Sequence, residues 1–211
     1  INFKFINFSF EYVNIINYFY LYVYEGLNVS NLVLKQLAPK GRLRAAINLS
    51  NFLLVTGKEA NGDPQGVSPD MAKALANELG VEIELISFNR PGELADAISE
   101  DVWDIGNIAN EPERAKSITF SLPYTLIEST YMVRHNLNIN SIKDVDKEGI
   151  RIAVAERSAY DLWLTSNIKK AVLKRAESIN ESFTIFEDNK YEVLAGLRPK
   201  LVNDLKKTED C

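Results

Sequence analysis

Residues 104–124 read D-I-G-N-I-A-N-E-P-E-R-A-K-S-I-T-F-S-L-P-Y. Trp103 to Ile108 predicts a third, short strand, and that strand ends at Asn107-Ile108-Ala109. A turn follows. Pro112, suited to the first position of a helix, opens a helical turn carrying Glu113, Arg114 and Lys116. Arg114 projects from the first turn, so backbone N–H groups and a guanidinium gather at one strand end. Ligands of open α/β sheets bind beyond the carboxyl ends of strands. A guanidinium fork matches the two oxygens of a small carboxylate. A surface ion pair of Arg114 with Glu111 or Glu113 is the other reading, and chemistry alone leaves the two level.

Strands and helices alternate on both sides of this stretch. Upstream, Arg44 to Leu49 predicts a first strand, with Leu53 to Val55 extending the apolar stretch. Asn61-Gly62-Asp63-Pro64 marks a turn, and the scattered Gly57, Gly62 and Gly66 fit a hairpin-like loop. Ser68 is placed to cap a helix with Pro69 at its first position, Met71, Leu75 and Leu79 along its inner face, and Gly80 as its stop. Val81, Ile83 and Leu85 alternate with Glu82 and Glu84 as a half-buried strand. Pro91-Gly92 opens a second helix, with Leu94, Ala97 and Ile98 inward.

Downstream, Thr125 to Arg134 reads as a long extended stretch, and the polar run Asn136 to Gly149 as a linker with a short helix. The alternation then restarts. Ile150 to Ala155 is a strand and Ala159 to Ile168 a helix whose Leu162, Trp163 and Ile168 are core candidates. Lys174 to Glu177 and Glu192 to Gly196 read as strands, Pro199 to Lys206 as a helix, and Ser182 to Phe186 is ambiguous. Repeated β-α-β units predict an α/β fold with parallel strands covered by helices. The break near residue 136 divides it into lobe 1 over 28–134 and lobe 2 over 135–211.

Residues 1–27 read as an aberrant or non-native leader. Eighteen of the first 24 are Ile, Asn, Phe or Tyr, residues with codons made only of A and T. Translated A/T-rich flanking sequence is the preferred reading, with a degenerate signal segment and a real extra element as alternatives. Lys4 and the run Tyr18 to Tyr24 imitate a signal peptide, but Glu25-Gly26-Leu27 supplies no small-x-small cleavage site. Lys206 to Cys211 is polar and ends without a closing element.

Composition removes several classes of function. Lys plus Arg is 24 against 29 Asp plus Glu, a net charge of −5, which speaks against a nucleic-acid partner. Hydrophobic residues are 46% and charged residues 25%, enough for a sizeable core. One Cys, at position 211, excludes an internal disulfide and a cysteine metal cluster. The lone His135 reads as a surface linker residue, and Asp161 as part of a solvated helix face. No phosphate loop, dinucleotide fingerprint, nucleophile elbow or zinc motif is present, so no cofactor and no metal are expected.

The stretch around Arg114 resembles the extracytoplasmic solute-binding proteins of amino-acid ABC transporters, family 3. Asp104, Pro112, Glu113, Arg114, Phe120, Ser121, Pro123 and Tyr124 match that family's P-E-R…F-S-x-P-Y element, with a shortened spacer after the Asp. L-R-A-A-I-N-L-S-N-F and G-V-S-P-D-M-A-K-A-L-A-N-E-L-G resemble its first strand and helix, and G-I-R-I-A-V-A-E-R-S-A-Y-D-L-W-L the opening of its second lobe. The resemblance runs from about residue 40 to 200. It implies a two-lobed periplasmic-binding-protein-like fold of type II, here with the second lobe incomplete and the chain truncated.

By motif position the resemblance makes Arg114 the clamp on the ligand's α-carboxylate, with Asn107 and Ala109 on the adjoining loop. Asn48 and Asn51 fall at the end of the first strand and Asn89 after the second. Ser158, Ala159 and Tyr160 fall on the second-lobe loop at a helix N-terminus, where an anion is favoured. Three departures stand out. Arg157-Ser158 replaces a glycine-hydroxyl pair, Ala109 replaces a small hydroxyl, and Leu197-Arg198 stands where the acid for a ligand ammonium belongs. Arg198 therefore points to a second anionic group, or to a carboxylate lacking the amine.

The expected role is the substrate-binding component of an ABC transporter, not an enzyme: a periplasmic monomer that closes on a small polar carboxylate or amino-acid-like solute and hands it to a membrane permease. A ligand-sensing domain of a larger receptor is one alternative. A dehydratase-like enzyme resembling cyclohexadienyl dehydratase, with Glu156 as its acid or base, is another.

Overall fold

The structure is a computed structural model that describes the backbone of residues 6–13 and all of residues 31–208. The chain forms two compact units: Tyr12–Thr125 (the first unit), and Ile1–Glu11 with Leu126–Cys211 (the second). Most of the leader expected over 1–27, together with Cys211, lies outside the described residues. The exception is a strand, β1 (Ile6–Val13), whose Tyr12 and Val13 pair antiparallel with Ala109 and Ile108.

The first unit continues with a short helix α1 (Asn31–Leu37) and the strand β2 (Arg42–Asn48). A two-residue hairpin follows, β3 (Gly57–Lys58) with β4 (Pro64–Gln65), where the scattered glycines predicted one. Then come α2 (Val67–Leu79), β5 (Glu82–Phe88) and α3 (Pro91–Asp96). The predicted third strand is split around Asn107 into β6 (Ile105–Gly106) and β7 (Ile108–Ala109). Strand β2 lies between β5 and β6, parallel to both. It is buried on both faces, as a central parallel strand must be. Leu43, Ala45 and Ile47 pack on Ala72, Leu75, Ala76 and Leu79 of α2. Ala46, pointing the other way, joins Leu94, Ala97, Trp103, Ile108 and Ile118.

Arg44 is the buried charged residue of β2. Its guanidinium donates to both carboxylate oxygens of Asp104, at 2.6 and 3.0 Å, and its backbone N–H to Asp104 Oδ2 at 2.9 Å. Asp104 is thereby spent on tying β2 to the start of β6.

Strand β8 (Pro123–Val133) carries the chain into the second unit, over the stretch predicted as extended. Next come α4 (Ile142–Val145), β9 (Arg151–Ala155), α5 (Ala159–Asn167), β10 (Val172–Ala176), α6 (Ile179–Asp188), β11 (Val193–Leu197) and α7 (Arg198–Leu205). Strand β9 pairs parallel with β10 and β11, and β8 closes the far side of β11 antiparallel, Leu197 opposite Ser129. Met132, Ala153, Phe186, Leu194 and Leu201 form the core of one face. The ambiguous Ser182–Phe186 stretch is helical, capped by Ser178, whose Oγ accepts from Glu181 N–H at 3.1 Å. In α5 the expected core residues Leu162, Trp163 and Ile168 are half-buried, and Tyr160 and Leu164 take the interior instead.

Candidate functional site

Five of the six residues expected to bind ligand in the first unit lie at the carboxyl edge of β2 and β6. Asn48 is the last residue of β2, and Asn107 directly follows β6, the neighbouring parallel strand. Asn48 Oδ1 accepts from Ser50 N–H (3.2 Å) and Oγ–H (2.7 Å), which folds the chain back after the strand. Asn51 Oδ1 accepts from Leu53 N–H at 3.2 Å, and its Nδ2 is buried without a hydrogen-bond partner. Asn107 Nδ2 donates to the Ser68 carbonyl at 3.0 Å and to Ser68 Oγ at 2.9 Å, while its Oδ1 is likewise buried and unpartnered. Ala109 offers its carbonyl to Arg114 Nη1 at 3.2 Å. Asn89, past the end of β5, is exposed.

Arg114 begins a 3-10 turn, Arg114–Lys116, rather than riding a full helix. It is only 5% exposed, which removes the reading of a surface ion pair. Glu111, buried as well, caps the turn instead: its Oε2 accepts from the backbone N–H of Glu113 (2.9 Å) and Arg114 (3.3 Å). Glu113 pairs with Lys116 at the surface.

Sequence reasoning misassigned Ser68. Helix α2 begins two residues earlier, capped by the Gly66 backbone with no side-chain bond, and the Ser68 side chain turns inward to Asn107. It also missed Glu111, although a carboxylate two and three residues ahead of the N–H groups it receives is a capping spacing.

In the second unit Ser158 and Arg198 follow the carboxyl ends of the adjacent parallel strands β9 and β11. Ser158 Oγ caps α5 by accepting from Asp161 N–H at 3.1 Å, and Ala159 and Tyr160 are buried in its first turn. Arg157 holds φ +56°, left-handed backbone that favours glycine. Asp161 is buried, not solvated. Its carboxylate accepts from Arg157 N–H at 2.7 Å and from Arg175 Nε at 2.9 Å. Burial pushes its carboxyl above the usual aspartate range, against the pull of the Arg157 N–H and Arg175. Leu197 is buried, and Arg198 reaches Glu128 on β8 at 3.4 Å. Among the described residues no group of His, Cys, Asp or Glu is placed to hold a metal ion. No helix among them is long and apolar enough to cross a membrane.

Residues 50–208, well over half of the chain, match the bacterial extracellular solute-binding proteins, family 3. The chain belongs to that family. The architecture agrees: it is the α/β fold of type II periplasmic binding proteins. An ancestral amino acid-binding protein, a precursor of cyclohexadienyl dehydratase, is similar at 26% identity and a TM-score of 0.65, over 79% of this chain and 75% of its own. An ABC-transporter binding component from Wolinella succinogenes, complexed with lysine, shares the fold at 21% identity and a TM-score of 0.63, over 80% of this chain and 73% of its own. So does a cysteine-binding protein from Campylobacter jejuni, at 20% and 0.61, over 78% and 66%. A curated relative, the membrane-bound lytic murein transglycosylase F of Actinobacillus succinogenes, is 33% identical over 69 residues, which are 32% of this chain and 14% of that protein's length. Solute binding on an extracellular-type domain is therefore the coarse function.

Proposed function

We propose that this solute-binding domain receives a small polar carboxylate or amino-acid-like solute, with Arg114 on the carboxylate, and serves a membrane ABC permease from the periplasm. The observation that carries this reading is the carboxyl edge of β2 and β6. A buried guanidinium lies on the same edge as a buried donor, Asn51 Nδ2, and a buried acceptor, Asn107 Oδ1, that no described residue satisfies. Buried polar groups are satisfied in all but a few cases, so an edge that leaves two open is built for something else to fill them. Asn48 and the Ala109 carbonyl support that edge. Asn89 is the weakest member, being exposed. In the second unit Ser158, Ala159, Tyr160 and Arg198 are proposed as ligand contacts because they follow strand carboxyl ends in the same way. No covalent step is needed. The chain acts by binding, as a monomer without a cofactor.

The test is a thermal-shift panel of amino acids, dicarboxylates and keto acids, with Arg114→Ala as the control. A ligand at a hundred times its dissociation constant stabilises by about 2.7 kcal/mol, which is roughly 5–10 °C in a chain of this size. A shift confined to carboxylates and abolished by Arg114→Ala supports the reading. A shift that survives the substitution overturns the role of Arg114.

The transglycosylase match favours a second reading, a ligand-sensing domain of a larger receptor, because there the matched segment is a small part of a longer protein. Binding without a permease partner would favour it. Turnover of prephenate-like acids, lost in Glu156→Gln, would instead favour an enzyme.

A further inference from the structure

The second unit has two sheet edges, and Ser158 and Arg198 occupy only one of them. Strands β9 and β11 run parallel, so Arg151 and Val193 begin them on the opposite edge. Strand β8, antiparallel to β11, ends on that same edge with Val133 opposite Val193. A cavity of about 400 Å³ lies there, lined by Arg134, His135, Asn136, Leu137, Lys190 and Glu192. We propose that this cavity binds a small tetrahedral oxyanion of the phosphate type, held between Arg134 and Lys190. It shares no residue with the edge that carries Arg114.

Arg134 directly follows β8 and is 8% exposed. Its Nε donates to the Tyr191 carbonyl at 2.9 Å and its Nη2 to the Phe186 carbonyl at 3.0 Å. The guanidinium carbon stands 4.3 Å from the centre of the Phe186 ring. These contacts set a cation against the last turn of α6, where one is favoured. They leave Nη1 buried without a hydrogen-bond partner among the described residues. An unmet N–H on a buried charged group is costly. An acceptor in the cavity that Arg134 lines would meet it.

Charge around this edge favours an anion. Three cations, Arg134, Arg151 and Lys190, meet two carboxylates, Glu187 and Glu192. Glu192 lines the cavity but is taken by Arg151: its oxygens accept from Arg151 Nη2 at 2.6 Å, Nε at 2.9 Å and the backbone N–H at 2.8 Å. Glu187 is left to serve both Arg134 and Lys190, at 3.4 and 4.0 Å, too long for strong pairs. It also accepts from Thr208 Oγ1 at 3.1 Å. Positive charge therefore remains in excess at Arg134 and Lys190.

Lys190 stands just past α6 in left-handed backbone at φ +49°, where glycine or asparagine is usual. Its carbonyl accepts from Arg151 Nη2 at 2.8 Å, which fixes the backbone from which the ammonium extends. Asn136 and His135, exposed on the loop after β8, add further donors. A planar guanidinium fork with a compact ammonium suits a doubly charged phosphate-type ion.

Isothermal titration with inorganic phosphate, glycerol phosphate and acetate at fixed ionic strength tests this, together with amide NMR spectra of the same samples. Phosphate should bind one per chain with a Kd of about 1 mM or below, within reach of a few charge-assisted bonds. The amides of residues 134–137 and 190–192 should shift as it saturates. Lys190 is the residue to substitute, because Arg134 also holds α6. Lys190→Asn, which tolerates left-handed backbone, should keep its melting temperature and bind phosphate about 10-fold more weakly. Glycerol phosphate binding as tightly as phosphate supports the site and extends it to phosphate esters. Binding of phosphate alone supports it as a site for the free ion. Acetate binding as tightly as phosphate overturns the phosphate-type assignment. Phosphate binding that survives Lys190→Asn unchanged and is lost in Arg114→Ala puts the ion on the other edge and overturns the proposal. So does the lack of any saturation at about 10 mM phosphate.

Discussion

Gly66 shows how one backbone position shapes the candidate site. It caps α2 at φ +134°, and a Cβ there would lie 2.6 Å from the Leu54 carbonyl and 3.0 Å from Thr56 N. Both neighbours are backbone and cannot turn aside. The Leu54 carbonyl also accepts from Ser68 N–H at 2.9 Å, so the segment Gly66 keeps in place is the one that orients Asn107. Gly66→Ala should therefore cost more than about 1 kcal/mol and weaken ligand binding too. Gly57→Ala, which meets only the end of the Gln65 side chain at 3.4 Å, should stay within about 0.5 kcal/mol. Thermal melting of both variants checks this, and equal losses would remove the strain argument.

At this scale the sequence was legible where chemistry is local and opaque where it is not. The gathering of Arg114, Asn107 and Ala109 near one strand end was legible because a strand end, a turn and an arginine follow one another in the chain. The inward turn of Ser68 depends on Asn107, 39 positions away. Asp161 reads as an ordinary surface acid until Arg175, 14 positions on, is folded against it.

Among the elements, the parallel strands and their helices were readable from apolar period and from Gly and Pro punctuation. Two were less so. Strand β6–β7 is broken by Asn107, which binds sideways to Ser68 instead of extending the ladder. Helix α6 was obscured by a short apolar run, although Ser178-Ile179-Asn180-Glu181 is a capping-box spacing and Glu181 Oε2 does reach back to Glu177 N–H at 2.8 Å.

Connections between elements are held by side chains that period cannot reveal, and Asp146 is the clearest. It follows α4, and its carboxylate accepts from the N–H groups of Lys169, Lys170 and Ala171, at 3.0, 2.6 and 3.0 Å, in the turn between α5 and β10. Those bonds, Ala171 N–H first, hold its carboxyl below the usual aspartate range. A depressed carboxyl pKa stabilises the fold above its unfolded value and loses that contribution as pH falls through the folded value. Asp146→Asn should therefore be less stable than the wild type at neutral pH. The gap should narrow as pH drops below the ordinary aspartate value of about 3.9. Denaturant titrations from pH 7 to 3 test this; a gap that stays constant with pH would mean that the charge of Asp146 contributes nothing.

Among the described residues, each unit has apolar clusters of its own. The first is sealed on both faces of β2, by Leu43, Ala45 and Ile47 on one side and Ala46 with Leu94 and Trp103 on the other. The second is built on Met132, Ala153, Phe186, Leu194 and Leu201. Among the described residues these clusters share no member, so a defect in one of them should open its own unit first. Phe186, with no exposed surface, is the sharpest probe. Removing a buried phenylalanine costs about 3–5 kcal/mol, enough to multiply the opening equilibrium of the second unit by at least about a hundredfold. In Phe186→Ala, native-state hydrogen exchange should accelerate by that factor at the amides of β9 and β11. The amides of β2 and β5 should keep their wild-type protection. If β2 and β5 lose protection to the same extent, the two interiors open as one cooperative block.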